Sequence, residues 1–93
     1  MDIQNEIKGD RGIFFIRENK ERLGELMYQL PDSNRMIITH TSVSEKMAGK
    51  GLGRQLLEKA VAYARERHLK IIPFCSFAKS VFRKEHTLYE DVL

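Results

Sequence analysis

From Met36 to Ala64 the chain runs through a β-type segment, a glycine-spaced turn and an amphipathic helix pattern without interruption. No other feature constrains the fold as much. A strand that hands over to a helix through glycines aims the unpaired N–H groups of the helix start at one point. Such a point attracts anions, because the donors converge and the helix dipole favours negative charge. The turn is Gly49-Lys50-Gly51-Leu52-Gly53, with Arg54 directly behind it. Lys50 and Arg54 add full positive charges, and bare glycines let a ligand approach the main chain and permit positive φ. The pattern reads as a phosphate or pyrophosphate cradle. Glycines before a helix also occur as plain turn and packing residues. Here the strand, turn, two cations and helix in the right order favour the cradle. A P-loop is excluded, since no Ser or Thr follows a Gly-Lys pair. The dinucleotide fingerprint is excluded too: it places its third glycine one residue later and an acidic residue about 20 positions on.

The helix pattern starts at Leu52. Leu52, Leu56, Leu57, Ala60, Val61 and Ala64 form one apolar stripe, opposite Arg54, Glu58, Lys59, Arg65 and Glu66. That is a helix lying on a sheet, with Tyr63 packing at its flank. The pattern ends near His68. Leu69 to Ile72 then reads as a short buried strand stopped by Pro73. Phe77, Ala78, Val81 and Phe82 recur at helical spacing, so a second helix begins at Cys75 or Ser76. Arg83 and Lys84 lie near its end, where cations suit the dipole.

The first third of the chain is less explicit. Residues 3–8 are too short and polar to assign, and Gly9-Asp10-Arg11-Gly12 reads as a turn. Ile13 to Ile16 is a strand candidate, and Asn19-Lys20 can turn it into a hairpin. The next piece is ambiguous. Leu23, Leu26, Met27 and Leu30 fit a helix, whereas Leu26, Tyr28 and Leu30 alternate as a strand does. Pro31 to Asn34 is a turn, and Met36 to Val43 is the clearest strand.

Ninety-three residues make one domain, residues 1–93, near the small end of what folds unaided. A net charge of +3 suits an anionic ligand but is too small to argue for nucleic acid, and no aromatic-basic motif of an RNA-binding module is present. One cysteine allows no intrachain disulfide, which fits a reducing compartment. The N-terminus is polar and unlike a signal peptide, and no apolar run has membrane-spanning length. The expectation is a cytoplasmic protein with no membrane partner. One Cys and three His lack metal-site spacing, so no metal is expected.

Two residues carry candidate chemistry. Cys75 follows a strand and opens a helix, where the dipole favours the thiolate, and Lys79 lies one turn on. Strand-helix-strand order sets the ends of the Met36–Val43 and Leu69–Ile72 strands side by side, at the sheet edge where α/β proteins bind ligands. A free cysteine is otherwise usually an inert core residue. His40, near the end of the strand leading to the cradle, has the chemistry of a general base toward an amine or toward Cys75. A strand histidine is more often structural. Lys46 reads as a solvated loop charge, and His68 and His86 as surface residues.

The stretch Ala48-Gly49-Lys50-Gly51-Leu52-Gly53, followed by Leu56 and Leu57, resembles the acyl-CoA motif of the GNAT-type N-acetyltransferases. That motif is Arg or Gln, two residues, Gly, one residue, then Gly or Ala. Gly51 and Gly53 fit it, and Ala48 departs from its leading Arg/Gln. With Thr39 to Val43 before it, Pro73-Phe74-Cys75 after it and so short a chain, the sequence is similar to the small YjdJ-type GNAT-like domains from about Gly12 onward. The tail His86-Thr87-Leu88-Tyr89 departs from their His-Pro-Glu-Tyr wording. The resemblance implies an α/β fold: a mixed sheet with an antiparallel N-terminal meander, one main helix after the glycine turn and a short C-terminal helix. It also decides for a strand at Leu26 to Leu30. It implies acetyl-CoA as cofactor, its pantetheine arm along Thr41, Ser42 and Val43 and its pyrophosphate on Gly49, Lys50, Gly51, Leu52, Gly53 and Arg54. The implied activity is acetyl transfer to an amine on a small molecule or on a protein. Either the amine attacks directly or Cys75 accepts the acetyl group first. No carboxylate can be assigned as the base that such enzymes often use. A non-catalytic CoA-binding module is the alternative function, and a monomer or weak homodimer is the expected state.

Overall fold

In a computed structural model, which describes residues 2–93, five strands form one sheet in the order of the sequence. They are β1 (Gln4–Lys8), β2 (Arg11–Glu18), β3 (Glu21–Gln29), β4 (Arg35–Val43) and β5 (Lys70–Pro73). The first four pair antiparallel and β5 joins β4 in parallel. The crossover between β4 and β5 is helix α1 (Leu52–Arg67), and α2 (Ser76–Lys84) and α3 (His86–Tyr89) close the chain. The mixed sheet, the antiparallel start, the main helix and the short C-terminal helices are as the resemblance implied.

Local chemistry explains most of the boundaries. Asn19 takes a left-handed φ of 57° in the turn between β2 and β3, which asparagine tolerates better than most residues. Alternation wins over helical spacing in β3, because Leu26 and Tyr28 lie buried while Glu25 and Met27 face the other side. Helix α1 ends on His68, whose φ of 58° and N–H to Ala64 O close its last turn. The unassigned residues 3–8 contribute β1, an edge strand whose five residues are all exposed. With no buried side it carries no alternating apolar signal, and only its pairing with β2 makes it a strand.

The core lies between one face of the sheet and the helices. The apolar stripe of α1 packs on Phe14, Leu26, Tyr28, Met36 and Ile38. The tail, which the sequence left unassigned, also reaches this core: Tyr89 and Val92 are buried there, and Tyr89 packs edge-on against Phe82. Phe15 belongs to the opposite face, where the guanidinium groups of Arg17 and Arg22 lie over its ring at 5.4 and 4.4 Å.

One irregularity decides the geometry of the site. In the register of β3 and β4, Tyr28 faces Ile38 but Met27 faces His40, so Thr39 is an extra residue in β4. Such a bulge reverses which side the following residues face. Strict alternation from Met36 would put His40 and Ser42 with Ile38 on the core side. Thr41 instead pairs with the buried Leu26 and shares its face, and His40 pairs with Met27 on the uncovered face.

Candidate acyl-CoA site

Strands β4 and β5 stay paired only from Arg35–Lys70 to Ile38–Pro73. The N–H groups of Phe74 and Cys75 both donate to the carbonyl of Ile38, at 2.8 and 3.2 Å, and there the chain leaves β4. The stretch Thr39 to Val43 therefore has β3 on one side and no strand on the other. An edge with unused donors and acceptors is a template for an extended, amide-bearing ligand.

Beyond Val43, Ser44 caps a short turn of 3-10 helix over Glu45–Met47, its Oγ accepting from the N–H of Lys46 at 3.3 Å. Gly49 and Gly51 then adopt φ of 76° and 73°, the left-handed region that favours glycine. Gly51 caps α1 with no side-chain bond, and the first intrahelical bond runs from Gln55 N to Gly51 O. The N–H groups of Leu52, Gly53 and Arg54 thus have no acceptor within the helix. The first turn contains no acidic residue to occupy them. A groove of about 310 Å³ lies over these donors, walled by Thr41, Val43, Met47 and Phe77. A β-carbon built on Gly49 or Gly51 meets nothing within 4 Å, so the space above the turn is open. Gly53 differs from the expectation of three bare glycines. Its missing side chain is filled by Phe77, whose Cζ would stand 3.2 Å from a β-carbon there.

Cys75 is half-buried at the N-cap of α2. Its sulfur accepts from the N–H of Ala78 at 3.4 Å and lies 3.4 Å from the hydroxyl of Thr41. The bulge makes that second contact possible, since it turns Thr41 to the side of the sheet on which α2 packs. Thr41 thus joins the groove, which it lines together with the glycine turn, to the sulfur of Cys75. Lys79 contributes its N–H, at 3.1 Å from the Cys75 carbonyl, and is exposed.

The sequence-derived candidates divide accordingly. Thr41, Val43, Gly49, Gly51, Leu52, Gly53 and Arg54 line the groove. Ser42 is exposed and pairs with Glu25, which places its side chain on the uncovered face. Lys50 is exposed and has no ion pair among the described residues. His40 lies apart: its Nε2 stands 3.7 Å from the Glu25 carboxylate, and no hydrogen bond joins it to Cys75. Lys46 is tied to Glu21 at 2.9 Å.

Sequence reasoning missed the surroundings of Arg54. Its guanidinium binds Glu85 at 2.6 Å and Glu58 at 3.3 Å, and donates to the hydroxyl of Tyr89 at 2.9 Å. The bond to Glu85 is the chief reason that Arg54 is held charged well beyond the ordinary range. Burial, and then the hydrogen bond to Glu58, pushes the Tyr89 phenol up. The i, i+4 spacing of Arg54 and Glu58 was a readable signal for part of this cluster. The closeness of Glu85 and Tyr89 was not. Among the described residues no group of His, Cys, Asp or Glu side chains is placed to hold a metal ion, and no helix is long and apolar enough to cross a membrane.

Comparison with known proteins decides the family. Residues 13–92 match the model of the GCN5-related N-acetyl-transferase family. The chain belongs to that family. A GCN5-like protein of Staphylococcus aureus, known from a solution structure, is 39% identical over 96% of this chain and 85% of its own, with a TM-score of 0.69. Two more distant structures share the fold. One is a GNAT family acetyltransferase from Elizabethkingia anophelis with acetyl-CoA bound: 20% identity, TM-score 0.64, 83% of this chain and 53% of that one. The other is Tetrahymena GCN5: 16% identity, TM-score 0.67, 84% of this chain and 51% of that one. The chain thus spans about half the length of these two proteins. No curated protein matches it.

Proposed function

We propose that this GCN5-related protein binds acetyl-CoA in the groove between β4 and α1 and transfers its acetyl group to an amine. The observation that carries the reading is that three features meet at one end of β4. They are an unpaired backbone edge, a glycine turn with free helix donors and a cysteine sulfur. The residues fit the ligand: the open space over Gly49 and Gly51 suits a pyrophosphate, and the Thr41–Val43 edge suits the amides of the pantetheine arm. That a structural relative of this fold carries acetyl-CoA supports the choice of ligand.

Bound acetyl-CoA supplies an acetyl group on a thioester. The chain's part is to hold the phosphates on the N–H groups of Leu52, Gly53 and Arg54 with Lys50 alongside, and to present Cys75. The sulfur sits at the N-cap of α2, and both Thr41 and Ala78 fix its position. As thiolate it attacks the acetyl carbon. A new carbon–sulfur bond forms on Cys75, and the bond to the CoA sulfur breaks, releasing CoA thiolate. An amine then attacks the acetyl-cysteine, an amide forms, and the Cys75 sulfur leaves as thiolate while the amine proton passes to solvent. The acceptor is a small amine or an amine on a protein.

Calorimetry with acetyl-CoA and intact-mass measurement test both halves. Heat of binding followed by a gain of one acetyl unit on the Cys75 peptide is expected. In Cys75→Ser the adduct and the transfer are lost while CoA affinity stays. Transfer without an adduct would favour direct attack by the amine, and no binding heat would sink the reading.

A further inference from the structure

The groove has a wall that the glycine motif does not account for. Arg54 lines it directly behind the last glycine, yet all three nitrogens of its guanidinium already have partners within the protein. Nη1 meets Glu85, Nε meets Glu58 and Nη2 donates to Tyr89, whose hydroxyl in turn donates to Glu58. These partners come from three elements: α1, the residue that joins α2 to α3, and the end of α3. One guanidinium and two carboxylates leave this cluster a formal net charge of −1 beside a site read as binding phosphates. Removing Arg54 would leave two carboxylates there.

Like charges at such range disfavour an anionic ligand. A guanidinium already satisfied by two carboxylates and a phenol also gains little by turning to a phosphate. Lys50, in the turn itself, has no competing partner among the ion pairs of the described residues. We propose that Arg54 is a positioning residue for the acetyl-CoA site. It cancels Glu58 and Glu85 and pins the C-terminal segment against the first turn of α1, while backbone N–H groups and Lys50 contact the phosphates. This role rests on the groove being the acetyl-CoA site.

Removing Arg54 with and without its carboxylate partners separates this role from direct phosphate binding. CoA is titrated calorimetrically into the native protein, Arg54→Met, and the triple variant Arg54→Met/Glu58→Gln/Glu85→Gln. Expected is a loss of about tenfold in Arg54→Met, with the triple variant back within about threefold of the native protein. Thermal melts establish that each variant is folded at the assay temperature. Where the triple variant is not, Arg54→Met/Glu85→Gln makes the same comparison and should recover part of the loss. A variant with the carboxylates neutralised that is as weak as Arg54→Met would show that Arg54 itself binds phosphate and would overturn the role. So would Arg54→Met that melts lower but binds CoA as tightly as the native protein. A native protein that gives no heat with CoA would sink the groove reading, and this role with it.

Discussion

Gly12 in β2 and Gly51 before α1 lack the same side chain for opposite reasons. Across the meander Gly12 faces Tyr28, and a β-carbon on it would come within 2.1 Å of the tyrosine ring. The ring occupies the missing side chain's place and reaches Asn5, to which its hydroxyl donates at 2.6 Å. At Gly51 nothing lies within 4 Å, and the backbone turns through a left-handed φ. The first glycine makes room for the protein, and the second leaves open the space where the phosphates are proposed to rest. An empty space beside unpaired helix donors marks a ligand site, while a filled one marks packing. Gly53 lies between the two cases, because Phe77 fills its space within the same motif.

Charge at Gly51 tests the contrast most strongly. Gly51→Asp should lower CoA affinity by about a hundredfold or more, since it sets a carboxylate where the phosphates are proposed to rest. Gly51→Asn, neutral and tolerant of the left-handed turn, should lose far less. Equal titration curves for Gly51→Asp and the native protein would place the phosphates elsewhere.

The opposite pattern is expected at Gly12. Gly12→Ala forces the Tyr28 ring to move and should cost about 1–3 kcal/mol, as overpacking generally does. In a domain of this size each kcal/mol lowers the melting temperature by about 4–8 °C. CoA affinity per folded molecule should stay unchanged. A Gly12→Ala protein that melts like the native one would show that the ring yields freely.

The smallest effect expected concerns the tyrosine itself. Burial pushes the Tyr28 phenol up to about 12 from the ordinary 10. The folded protein favours the neutral phenol, so this contribution is complete below pH 10 and is lost as pH rises toward 12. Urea melts across that range should show about 2 kcal/mol of lost stability from this group. In Tyr28→Phe that part of the decline should vanish, whatever the other tyrosines and lysines add to both proteins. A parallel decline in both would mean that the phenol ionises in place.

Much of the candidate site was legible because it follows from local pattern. Glycine spacing, the helix stripe from Leu52 to Ala64 and the β-type run before them each concern neighbours in sequence. Cys75 was legible at a helix start for the same reason. His40 shows where that reading stops. Alternation along β4 gives no sign of the extra residue at Thr39, since the bulge exists only in the pairing with β3. The bulge sends His40 to the uncovered face beside Glu25 and brings Thr41 to the cysteine.

The sequence by itself determined the run of elements from β4 to α2, the glycine turn and the family resemblance, because short-range periodicity and glycine chemistry dictate these. Tertiary structure alone decided what surrounds them: the ring over Gly12, Phe77 against Gly53, and the carboxylates that occupy Arg54. Each of those pairs lies from 16 to 31 positions apart in the chain, except Arg54 with Glu58. A charge or a cavity takes its meaning from the groups nearest in space. Only packing the C-terminal segment onto α1 turned Arg54 from an apparent phosphate ligand into the centre of an ion-pair cluster.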